Sequence, residues 1–161
     1  MRPLTKEDVT ERYLGWLSDP VTSRFIETAS TTNAREALIK YVVERSNRAD
    51  VLFLGIFDMA TGEHIGNIKY EPIDLIKKYA VMGIMIGQPE WRGRAVAPEV
   101  IAETAKWLNE SLDIRNIFLG VEKKNINGIK AYERCGFILT STDEIKLDLS
   151  QSVAMVKSFE N

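Results

Sequence analysis

Residues 92–97 run Arg92-Gly93-Arg94-Ala95-Val96-Ala97. Gly87 and Pro89 break off the apolar run before them, and a helical pattern follows. Small residues let a bound anion approach consecutive backbone N–H groups. A helix start adds partial positive charge, and two arginines add fork-shaped donors. That chemistry suits a pyrophosphate. The alternative is a surface turn with solvated arginines. The pattern is not a Walker loop, because G-x-x-x-x-G-K-[ST] is absent. A second polar cluster, Asn125 to Phe137, follows a later strand and places Ile129, Tyr132 and Cys135 on one helix face. Tyr132 could be a core tyrosine there, and Asn125 a helix cap needing no ligand.

The elements that position these residues can be read from periodicity. Met1–Leu4 is the remnant of a first strand. Asp8 and Glu11 form a capping box for a helix carrying Val9, Tyr13, Trp16 and Leu17. Residues 23–32, with Phe25 and Ile26, either face a ligand or form a short helix and turn. Asn33 and Glu36 start a second helix ending near Ser46. Val51–Phe57 is a buried strand and His64–Tyr70 its return, followed by a connection over Pro72–Lys78. Tyr79–Ile86 is the next strand, so the three form an antiparallel meander.

Pro98–Ser111 is a helix with Ile101, Ala105, Leu108 and Leu112 along its apolar stripe. It leads into a strand over Ile114–Val121, which makes a βαβ unit with parallel neighbours. A helix over Asn125–Arg134 is stopped by Gly136 as a left-handed cap. Strands at Phe137–Thr142 and Ser152–Phe159 close the chain. The last of these could pair within the sheet or reach a second subunit. The expected class is α+β, a single mixed sheet with helices on both faces. A Rossmann domain is disfavoured, because no G-x-G-x-x-G follows the first strand.

Bulk properties narrow the field. The chain has 161 residues, 45% of them apolar and 27% charged, so one domain over 1–161 is expected. A net charge of −2 gives no global argument for nucleic acid. One cysteine and one histidine exclude an intrachain disulfide and a site built from several such ligands, so no metal is expected. No run reaches the roughly 18 apolar residues of a membrane span, and the N-terminus lacks a signal-peptide core, so a cytoplasmic protein is expected.

Together the two clusters resemble the GNAT superfamily of acetyl-CoA-dependent N-acetyltransferases. Arg92-x-x-Ala95-x-Ala97 is similar to its Gln/Arg-x-x-Gly-x-Gly/Ala pyrophosphate loop. Asn125–Phe137 is similar to its N-x-x-S/G-I-x-x-Y-E-x-x-G-F signature. The resemblance covers about residues 50–140. Residues 13–27 resemble the branch containing ribosomal-protein acetyltransferases and enzymes that acetylate nucleotide-linked amino sugars. Ala95 departs from the usual glycine. Ala95 opens the helix in this reading, so alanine is expected to cost nothing there; a positive φ would strain it.

The resemblance implies acetyl-CoA as co-substrate. Two parallel strands, near Met82–Ile86 and Phe118–Val121, would splay and take the pantetheine arm along Ile84, Met85 and Ile86. A backbone N–H near Met85 would polarise the thioester carbonyl. Arg92, Gly93, Arg94, Ala95, Val96 and Ala97 would hold the pyrophosphate, with Asn125 and Ile129 beside the arm. Tyr132 would be the general acid to the departing thiolate. The base would be Glu71, Asp74, Glu122, His64 or water, because Tyr79–Ile86 carries no carboxylate.

The implied acceptor is a primary amine, first a nucleotide-linked amino sugar, then a protein N-terminus or a polyamine. No nucleic acid or membrane partner is expected, and a homodimer is possible. A non-catalytic CoA-binding module and a nucleotide-phosphate binder are the rivals.

Overall fold

In the computed structural model, residues 1–18 and 34–160 are described. The expectations for residues 23–32 and Asn33, and most of the branch resemblance over 13–27, lie outside them. Elements in chain order are β1 (Arg2–Pro3), α1 (Glu11–Ser18), α2 (Ala34–Ser46), β2 (Leu52–Phe57), β3 (His64–Asp74) and β4 (Tyr79–Ile86). They continue with α3 (Val96–Leu112), β5 (Asn116–Glu122), α4 (Ile126–Arg134), β6 (Ile138–Thr140) and β7 (Ser152–Ser158). The seven strands form one mixed sheet in the order β1-β2-β3-β4-β5-β7-β6. This is the expected α+β class.

The parallel pair expected from the βαβ unit is β4 with β5, in register Tyr79↔Asn116, Ala80↔Ile117 and Val81↔Phe118. β7 lies inside the sheet. It pairs antiparallel with β5 from Asn116↔Ser158 to Glu122↔Ser152, and with β6 on its other edge.

The chain divides into two compact units, Met1–Lys69 with Ile84–Arg94, and Tyr70–Gly83 with Ala95–Asn161. In the first, Leu4, Val9, Tyr13, Trp16, Leu17, Leu38, Val42 and Phe53 form the core. The helical spacing read for Val9, Tyr13, Trp16 and Leu17 is therefore a burial pattern. The capping box sits one turn earlier than expected. Thr5 and Asp8 close a 3-10 turn over Lys6–Asp8, and α1 starts only at Glu11.

Asp8 is committed to that corner because Arg2 grips its carboxylate with two nitrogens, at 2.8 and 2.5 Å, while Thr5 N–H donates at 2.8 Å. Burial pushes the Asp8 carboxyl up, but the bonds from Arg2 and Thr5 outweigh it and leave the value below the ordinary one. A depressed folded value means stability present above the ordinary carboxyl range and lost as pH falls through the folded value. Asp8→Asn is expected to cost roughly 1.5–3 kcal/mol at neutral pH, the range for hydrogen bonds to a charged group. In urea unfolding, the gap to the unsubstituted protein should close in acid.

In the second unit Ile101, Ala105 and Leu108 of α3 are buried with Ile114, Ile117, Leu119, Phe137 and Met155. Tyr70 and Thr104 share a buried 2.8 Å hydrogen bond. Thr104 spends its hydroxyl proton on Val100 O at 2.7 Å, so Tyr70 is the donor to Thr104. Asp113 ends α3 in the left-handed region at φ 53°, with its N–H on Asn109 O.

Several expected boundaries shift, among them the start of β5, which moves from Ile114 to Asn116. β3 runs to Asp74 rather than stopping at Tyr70, so Glu71, Pro72 and Ile73 belong to a strand and the connection shrinks to four residues. α3 begins at Val96, two residues before Pro98. A proline in the first turn loses no intrahelical bond, so it need not mark the start. β6 covers only Ile138–Thr140.

Candidate active site

Asn125 and Gly136 bracket α4 as expected. The Asn125 side chain accepts from Gly128 N–H at 2.9 Å, and Gly136 holds φ 86°. Within that frame Tyr132 is half-buried, with its ring 6.0 Å from Phe137 in an edge arrangement. Its hydroxyl makes no hydrogen bond among the described residues. Burial, with a smaller effect from Cys135, raises its pKa above the ordinary tyrosine value. A raised value keeps the phenol protonated across the neutral range, which a proton donor requires. Ile129 is half-buried one turn before it.

In the same unit, the β4–β5 ladder ends at Val81↔Phe118. β4 continues through Met82 and Gly83, and β5 through Leu119–Glu122. On β5 those last residues keep their β7 partners. Among the described residues, their other edge carries no ladder.

The loop contains the main surprise. Ala95 sits at φ 61°, ψ 13°, in the left-handed region, and Gly93 at φ 74°. The expectation that alanine is already helical and unstrained is therefore overturned. Ala95 is the residue before the helix, not in it, and its carbonyl accepts Glu99 N–H at 3.2 Å. Among the described residues no side chain caps the start of α3. The N–H groups of Val96 and Ala97 thus lie in an uncapped first turn, an arrangement that fits a phosphate.

A left-handed alanine costs roughly 1–2 kcal/mol, partly offset because glycine loses more backbone entropy on folding. Ala95→Gly is expected to raise stability by about 0.5–1 kcal/mol in denaturant unfolding. Destabilisation would mean that the loop does not hold this conformation.

The two arginines, read as equivalent, are placed differently. Arg92 is half-buried, and its side chain donates to Ile86 O and Gly87 O, each at 3.0 Å. Arg94 is exposed, its guanidinium carbon 5.5 Å from the Trp91 ring centroid. Ile84, Met85 and Ile86 are half-buried on β4.

Two glycines shape this strand end: Gly66, absent from the sequence reading, and Gly87, read there only as the end of the strand. A Cβ on Gly66 of β3 would strike the Met85 carbonyl oxygen and lie 3.2 Å from Ile86 Cα. A Cβ on Gly87 would enter the Trp16 indole. An isolated glycine inside a strand pattern is the signal that would have found Gly66.

The surroundings of His64 disfavour a role as base. Its ring is 8% exposed, stacked on Phe57 at 4.8 Å and flanked by Tyr13 and Trp16. Nε2 faces two acceptors, Gly66 O at 3.0 Å and Asn67 Oδ1 at 2.7 Å, and burial lowers its pKa. Asp74 accepts Ile76 and Lys77 N–H at 2.9 and 2.8 Å and so builds the turn after β3. Glu71 and Glu122 are half-buried strand residues. Among the described residues no group of His, Cys, Asp and Glu could hold a metal, and no helix is long and apolar enough to cross a membrane.

Comparison with known proteins bears on the fold. A chimera of the Vibrio cholerae spermidine N-acetyltransferase SpeG and hSSAT superposes with a TM-score of 0.80 at 20% identity, covering 98% of this chain and 93% of that one. The dodecameric Vibrio cholerae spermidine N-acetyltransferase in an intermediate state gives 0.76 at 19%, over 98% and 91%. The Vibrio cholerae spermidine/spermine N-acetyltransferase SpeG with manganese ions gives 0.74 at 20%, over 98% and 90%. At such identities the likeness is one of fold. No curated protein matches the sequence. The model of the acetyltransferase (GNAT) domain matches residues 1–138, and the chain therefore belongs to the GNAT acetyltransferases.

Proposed function

We propose that residues 1–161 act as one acetyltransferase domain that moves an acetyl group from acetyl-CoA directly to a primary amine, with a polyamine as the favoured acceptor. The observation that carries this reading is the uncapped start of α3 behind the left-handed Ala95. Its amides suit a pyrophosphate, and Arg94 adds exposed positive charge. Bound acetyl-CoA supplies an activated thioester whose thiolate must be protonated as it leaves. Along Met82–Gly83 and Leu119–Val121, backbone groups outside the ladder suit the amides of a pantetheine arm, as an added strand would pair.

Tyr132 is the proton donor in this reading, held neutral by burial. Asn125 orders the start of its helix, and Ile129 offers an apolar wall. The family resemblance assigns Ile84, Met85 and Ile86 to the backbone of the reacting end. With His64 and Asp74 engaged structurally, Glu71, Glu122 or water is left to take the proton of the amine, unless the amine arrives neutral.

The sequence ranked a nucleotide-linked amino sugar first. The similar solved structures named above are spermidine N-acetyltransferases, which supports a polyamine instead. One of them is dodecameric, which supports self-assembly here. Release of CoA thiol should be measured with spermidine, amino-sugar nucleotides and N-terminal peptides. Highest kcat/KM with spermidine is expected; preference for an amino sugar would reverse the ranking, and no turnover with any amine would favour a binding module.

A further inference from the structure

Two consecutive peptide units at the exit of β4 are held from both sides. Their N–H groups, on Gly87 and Gln88, both donate to Ile65 O, at 3.0 and 3.2 Å. Two amides on one carbonyl is the pattern of a β-bulge, which re-aims the chain beside functional sites. Their carbonyls, Ile86 O and Gly87 O, accept Nε and a terminal nitrogen of Arg92, each at 3.0 Å. Between them the Gly87 α-carbon lies so close to the Trp16 indole that a methyl group would not fit. Trp16 is 4% exposed in the core and has little freedom to yield.

The Arg92 backbone N–H closes the intervening 3-10 turn on Pro89 O at 3.1 Å. Arg92 therefore reaches back across the loop to the strand the loop left. Its planar fork matches two adjacent carbonyls, which a single ammonium cannot reproduce in that geometry.

We infer that Arg92 is a positioning residue, fixing the exit of β4 through the carbonyls of Ile86 and Gly87, while Arg94 supplies the charge that attracts the cofactor phosphates. This rests on the proposed acetyl-CoA site and divides between two arginines a role that their spacing assigns to both. An arginine acting by charge loses effect as salt rises; one acting by locking backbone does not.

Two readouts test it in Arg92→Ala, Arg92→Lys and Arg94→Ala. In the first, amide hydrogen exchange of Gly87 and Gln88 should accelerate about tenfold or more in Arg92→Ala and stay unchanged in Arg94→Ala. Arg92→Lys should not restore protection. In the second, KM for acetyl-CoA is followed against salt. Arg94→Ala should flatten the dependence, and Arg92→Ala should keep the slope of the unsubstituted protein.

Unchanged exchange together with a flattened slope in Arg92→Ala would make Arg92 a direct phosphate ligand and overturn the inference. Should Arg92→Ala fail to fold, Gly87→Ala disturbs the same joint through Trp16; it should accelerate Gln88 exchange and retain the salt slope, and protected Gln88 would count against the inference. If the unsubstituted protein binds no acetyl-CoA, the proposed function fails, and the exchange comparison still decides the role of Arg92.

Discussion

Tyr132→Phe is expected to lower kcat by about 10²-fold or more, the usual range for losing a general acid, while acetyl-CoA binding persists. The substitution removes one oxygen and leaves the ring that packs edge-on to Phe137. Because that hydroxyl has no hydrogen-bond partner among the described residues, stability should change little. The pH profile separates catalysis from packing. With the phenol value raised by burial, the acid remains in its donating form beyond the ordinary tyrosine range. The alkaline fall in kcat should therefore begin above that range and disappear in Tyr132→Phe. Stopped-flow turnover with calorimetric binding checks both halves, and undiminished turnover would remove Tyr132 from the chemistry.

Gly66→Ala should be damaging although it lies outside the loop. The added carbon meets a backbone oxygen, that of Met85, rather than a side chain that could rotate away. β3 and the end of β4 must then separate. Overpacking of this kind costs about 1–3 kcal/mol, and the shift carries Met85 with it. Lower stability and a higher KM for acetyl-CoA are expected together, measured by urea unfolding and steady-state kinetics. A variant with unaltered stability and KM would show that the close approach at Gly66 has no bearing on the site.

Much of this architecture was legible because local and tertiary preferences agree. Tyr79–Ile86 is an apolar run between a turn and a glycine, and it is a strand over those same residues. Asn125 and Gly136 bound α4 because side-chain capping and a left-handed stop are local physics. Where the two levels diverge, the reading failed. Ala95 prefers helical backbone by itself, yet the loop holds it at φ 61°. Pro72 reads as a strand breaker, yet β3 continues through it to Asp74. Arg92 and Arg94 look alike in sequence, and only the folded loop gives one of them two carbonyls to hold. The ranking of acceptors leaned on residues 13–27, most of which lie outside the described residues.

Calorimetric titration shows whether the loop leading into α3 accommodates acetyl-CoA. Acetyl-CoA should bind with an affinity that falls as salt rises, and ATP should bind much more weakly. Tight ATP binding without acetyl-CoA binding would contradict it.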